Sequence, residues 1–130
     1  WLRPYGGTVR RERQGGELVS RFIRLGERDI PLDQEGFLVH LDDWSEPLAA
    51  ELARLEGIDY SAEHREVILA LRSFYQEYQL SPAMRPLVKY IGQQLGKEKG
   101  SSLYLLKLFP GSPAKLASKI AGLPKPDNCL

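Results

Sequence analysis

The chain has 130 residues, 42% hydrophobic and 27% charged, with a net charge of +1, a balance that suits one globular domain with one modest core. No run reaches the roughly 18 apolar residues of a membrane span, and the first residues lack the apolar stretch of a secretory signal. One Cys and two His provide neither an intramolecular disulfide nor a zinc site, so a reducing, cytoplasmic setting is expected.

The small net charge conceals an asymmetry. Residues 1–25 hold six Arg against two Glu, and residues 26–66 hold twelve acids against three Arg. Residues 80–130 hold eight bases against Glu98 and Asp127. A basic C-terminal body joined to an acidic one points to directional docking, with an unevenly charged solvated surface as the plainer alternative.

In chain order, residues 1–20 are Gly- and Arg-rich without apolar period and read as a flexible leader outside the fold. Phe22–Leu25, Gly26-Glu27 and Arg28–Ile30 read as a β-hairpin, and Asp33–Gly36 as a second turn. Helical punctuation follows. Ser45 caps a helix running to about Glu56 and closed by Gly57, with Trp44 stapling its first turn. Ser61 opens the longest helix, where Val67, Leu71, Phe74 and Tyr78 share one face. Ser81 caps a third helix with Pro82 at its first position, and Pro86 kinks or displaces its first turn. Ser102–Phe109 forms a fourth, stopped by Pro110, and Ser112-Pro113 opens a fifth that ends at Gly122. The expected fold is mainly α: a five-helix bundle over residues 21–122, with a small N-terminal β-hairpin and an extended C-terminal arm, residues 123–130.

Pro124 and Pro126 forbid helix in that arm and favour a polyproline-like course. Eight residues at about 3.1 Å each could carry its tip roughly 25 Å from the body. The chain's one thiol, Cys129, is penultimate. A mobile thiolate can attack a persulfide or disulfide on a partner and hold the transferred sulfur. Lys125 favours the thiolate, whereas Asp127 and the terminal carboxylate oppose it, so activation is left to the partner's site. The bland alternative is an accidental free cysteine near a flexible end. Lys115, Lys119 and Lys125 flank the arm and could steer it into an acidic cleft, with Arg85 as a fourth partner-facing candidate. His40 and His64 have no ligand set around them, so surface or capping roles are expected.

A helix-turn-helix reading also stays open: residues 61–79, the Ser81-Pro82 turn and residues 82–95 have its spacing. Arg85, Lys89, Gln93 and Gln94 would be its few base-reading side chains, and the acidic segment before them opposes phosphate.

Longer motifs carry a resemblance. Leu108-Phe109-Pro110-Gly111-Ser112-Pro113-Ala114-Lys115, followed by Lys119-Ile120-Ala121-Gly122-Leu123-Pro124-Lys125-Pro126 and Cys129, resembles the C-terminus of the TusE/DsrC family. Glu35–Leu38, Trp44–Ala49, Ser81–Arg85 and Glu98–Leu105 agree with it, so the match covers about residues 22–130. Members active in dissimilatory sulfur metabolism carry a second cysteine upstream in the arm, at the position held here by Ser118, so the chain is more similar to the single-cysteine branch. The resemblance implies a carrier that accepts persulfide sulfur on Cys129 from a TusBCD-like donor complex. It would hand that sulfur to the tRNA 2-thiouridylase MnmA for wobble-uridine thiolation. No metal or organic cofactor is implied, and direct nucleic-acid contact would be weak or indirect. A DsrC-like partner of dissimilatory sulfite reductase is the alternative within the family, and Ser118 opposes it.

Overall fold

The computed structural model describes residues 12–14 and 17–127; Cys129 and the leader before residue 12 lie outside the described residues. Regular structure begins earlier than Phe22. Strands β1 (Glu12–Gln14) and β2 (Glu17–Val19) pair antiparallel, as do β3 (Arg21–Leu25) and β4 (Arg28–Leu32). Gly26 takes the β3–β4 turn at φ +62°, a conformation that favours glycine. Alternation turns Ile23 and Ile30 inward as cross-strand partners, and Val19 and Leu32 are buried beside them.

Five helices follow among the described residues: α1 (Glu46–Leu55), α2 (Ala62–Tyr78), α3 (Met84–Leu95), α4 (Ser102–Leu108) and α5 (Pro113–Ile120). The fold is thus mainly α, as the sequence predicts. Ser45 and Ser61 cap α1 and α2 by accepting hydrogen bonds from the backbone N–H groups of Leu48 and His64. His64 has the capping role: its Nδ1 accepts from the Ser61 N–H at 3.1 Å, while Nε2 lies 2.8 Å from the Leu108 carbonyl at the end of α4. No helix among the described residues is long and apolar enough to cross a membrane.

The third helix departs from the sequence reading. It starts at Met84, and Ala83 stands at its N-cap without a side-chain cap, so Ser81 does not cap it. Starting at Pro82 would put Pro86 where its missing N–H and its ring face the Pro82 carbonyl. Starting at Met84 puts Pro86 in the first turn, where no intrahelical N–H bond is needed. Ser81 is freed for another partner.

The short helix α5 packs against all four other helices. Its inward face is small: Ala114, Ala117 and Ser118 are buried, with Ile120 and Ala121 beyond them. Small side chains let four helices approach one axis, and the core of Leu48, Leu52, Ile68, Leu71, Leu87, Ile91 and Phe109 closes around it. The C-terminal tail therefore grows directly out of the centre of the bundle.

Candidate functional site: the anchored tail

Helix α5 ends in a paired-bond C-terminal motif. The Gly122 N–H donates to the Lys119 carbonyl and the Leu123 N–H to the Ser118 carbonyl, with Gly122 at φ +72°. The last carbonyls of a helix lack intrahelical partners. Here two side chains from other elements supply them: Trp44 Nε1 donates to the Ile120 carbonyl at 2.9 Å, and Arg72 donates to the Ala121 carbonyl at 2.7 Å. The Arg72 guanidinium also lies 4.0 Å from the centre of the Trp44 ring, a cation–π contact at the negative end of the α5 dipole. Burial holds Arg72 below the ordinary arginine value. Trp44, which precedes the Ser45 cap of α1, thus also closes the end of α5.

The tail then stays on the body. Leu123 and Pro126 are buried, and the Ser81 hydroxyl donates to the Pro124 carbonyl at 2.6 Å. Lys125 pairs with Glu35 at 3.2 Å. The stem 123–127 is non-helical, as its prolines require, but it does not project. Two apolar side chains gain burial, and an extended backbone leaves the Pro124 carbonyl open to Ser81. The expected 25 Å reach is therefore corrected. Cys129 follows Asp127 by two residues and lies outside the described residues. The expected disorder of the last residues lies outside the described residues.

The lysines expected to steer the tail have partners within the molecule. Lys115 and Lys125 both pair with Glu35, and Lys119 pairs with Glu56 at 3.1 Å while lying over the Phe37 ring. Glu35 is placed by its turn, where the Asp33 carboxylate accepts from the N–H groups of Glu35 and Phe37. Arg85 lies exposed in the first turn of α3. Ser118 is fully buried in α5, and its Oγ has no hydrogen-bond partner among the described residues. No group of three or more metal-ligating side chains occurs among the described residues.

Hydrogen bonds from Lys115 first and Lys125 second hold the Glu35 carboxyl below the usual carboxylate range. A depressed folded value means that the tie is present at neutral pH and is lost as pH falls through that value. Because the group is exposed, the loss is local rather than global. The NMR shifts of Leu123 and Lys125 should stay constant from neutral pH through the range where an ordinary glutamate titrates, and move only below it. Glu35→Gln should give the acid-state shifts at pH 7. Shifts that ignore both changes would show that Glu35 does not hold the stem.

The family model described as "DsrC like protein" matches residues 24–130. A protein of Sodalis glossinidius named "Sulfurtransferase TusE" is 57% identical over 102 residues, covering 78% of this chain and 94% of the relative. A protein of the same name from Escherichia coli K12 is 52% identical over 103 residues, with 79% and 94% covered. The solved structure of Allochromatium vinosum DsrC superposes with a TM-score of 0.77 at 44% identity, covering 84% of this chain and 97% of that one.

Proposed function

This chain belongs to the DsrC family, and from that premise we propose that it is a sulfur carrier that holds persulfide sulfur on Cys129. The observation that carries the reading is the anchored stem, which ends two residues before the chain's only cysteine. The relatives named as sulfurtransferases support it.

The chemistry is a balanced transfer. The Cys129 thiolate attacks the outer sulfur of a donor persulfide, R–S–SH. A new S–S bond forms on Cys129 and the donor's S–S bond breaks. The donor leaves as RS⁻, so charge and proton count are conserved. Two sulfur oxidation levels exchange places, and no external oxidant or reductant is needed. Release to the acceptor repeats the step with the roles reversed. Ser118 cannot compete by forming a disulfide with Cys129, so the sulfur stays available for transfer. A TusBCD-like complex is the proposed donor and an MnmA-type tRNA 2-thiouridylase the proposed acceptor, in the reducing cytoplasm. Lys115, Lys119 and Lys125 would contribute to the field around the docked tail, diluted by Glu35 and Glu56.

Intact mass spectrometry after incubation with a cysteine desulfurase, cysteine and the donor relay tests this. The expected gain is one sulfur atom, about 32 Da, reversed by reductant and absent in Cys129→Ser. A gain retained in Cys129→Ser, or no gain from a demonstrably active relay, would remove the carrier assignment.

A further inference from the structure

The tail lysines differ from another group of cations in their partners. Lys115, Lys119 and Lys125 hold carboxylates, whereas Arg85 and Lys89 have no ion pair among the described residues. Both are exposed on α3, which contains no acidic residue. Helical geometry places Arg85, Lys89 and Gln93 within a sector of about 80°, opposite the buried Leu87 and Ile91.

This face continues into an apolar patch. Tyr78 is 50% exposed and Leu80 53%, and Pro86 is exposed beside Arg85. The buried Phe74 ring contacts both Tyr78, at 4.6 Å, and Tyr90 of α3, at 5.1 Å, so the end of α2 and the middle of α3 form one surface. The next residue after Leu80 is Ser81, whose hydroxyl holds the tail stem at Pro124. The patch therefore lies where the tail is anchored. From Pro124 the chain reaches Cys129 within about 18 Å.

We propose that Tyr78, Leu80, Arg85, Pro86 and Lys89 form the docking surface for the protein that loads Cys129 with sulfur. This rests on the carrier reading. The partner's face is apolar at its centre and acidic at its rim, complementary to an exposed Tyr–Leu–Pro patch flanked by two unpaired cations. Protein interfaces are built from such aromatic and Arg anchors with polar rims. A nucleic-acid backbone would use the two cations but leave Tyr78 and Leu80 uncovered, and it would meet the exposed Glu77 carboxylate beside Tyr78.

The test is the double variant Arg85→Glu/Lys89→Glu, whose exposed positions should leave the melting temperature unchanged. Loading from glutathione persulfide, a donor too small to dock, should match wild type. Loading from the TusBCD-like complex should show an apparent KM raised by about tenfold or more at low salt, with the saturated rate preserved. Added salt should narrow that gap, since screening weakens the wild-type attraction. An unchanged KM with normal glutathione persulfide loading overturns the docking surface and leaves the carrier standing. Wild type that takes no sulfur from either donor overturns the carrier reading, and this proposal with it. An unchanged KM together with weakened tRNA binding would assign the face to nucleic acid instead.

Discussion

Gly122→Ala is expected to destabilise the fold by about 2–5 kcal/mol and to release the tail stem. Two costs combine. The backbone at φ +72° disfavours any side chain, by about 1–2 kcal/mol. A Cβ there would also stand 2.4 Å from Trp44 Cδ1 and 2.8 Å from Cγ, an overlap that costs about 1–3 kcal/mol to relieve. The indole is not free to retreat, because Trp44 donates to the Ile120 carbonyl and lies under Arg72. Yielding would uncap the end of α5 just where the tail begins. A fall in melting temperature of about 10 °C is expected by circular dichroism. In a Trp44→Ala background the same substitution should cost less, since the overlaps with Cδ1 and Cγ are gone and only the Trp44 Cβ contact at 2.9 Å remains. A melting temperature within 2 °C of wild type, or an equal cost in both backgrounds, would refute the account.

A contrast between two glycines is expected to be nearly as large. A Cβ on Gly100 would lie 2.3 Å from Gly92 Cα, 2.6 Å from Gly92 N and 3.0 Å from the Val88 carbonyl. All three are backbone atoms of α3, so no side chain can swing aside. Helix α3 and the segment leading into α4 would have to separate, at a cost of about 3 kcal/mol. The reverse substitution meets Gly100 Cα at 3.5 Å, an ordinary contact. Gly92 lies inside α3, where alanine is the better helix former by about 1 kcal/mol. Gly92→Ala should therefore be neutral or mildly stabilising in urea denaturation, and Gly100→Ala strongly destabilising. Equal effects would mean that the helix and the loop are not in backbone contact. The loop also positions Ser101, whose hydroxyl caps α4.

Much of this was legible from local sequence. The caps Ser45 and Ser61 and the glycines closing α1 and α5 act on neighbours within about a turn, so their residue types announce their roles. The hairpin at Gly26 and the placement of the apolar positions Val67, Leu71 and Phe74 follow for the same reason. Tyr78 fits the same period yet is half exposed, because it lies at the last turn, beyond the core that covers Phe74. Cys129 also stood out from sequence alone, as the chain's only thiol on a proline-bearing tail.

The tail's attachment was not legible, because its partners are far away in the chain. Ser81 meets Pro124 across 43 residues, Arg72 meets Ala121 across 49, Trp44 meets Ile120 across 76, and Lys125 meets Glu35 across 90. Trp44 and Ser81 had plausible local roles, as staple and cap, and packing gave each a distant partner. By itself the sequence determined the helices, their ends and the thiol, since those depend on hydrogen bonds and periodicity within a few residues. Only the tertiary structure decided that the stem lies against the body, that the tail lysines are matched by Glu35 and Glu56, and that Arg85 and Lys89 have no ion pair among the described residues. Those outcomes depend on which surfaces the core of α5 brings together, and neither composition nor spacing encodes that distance.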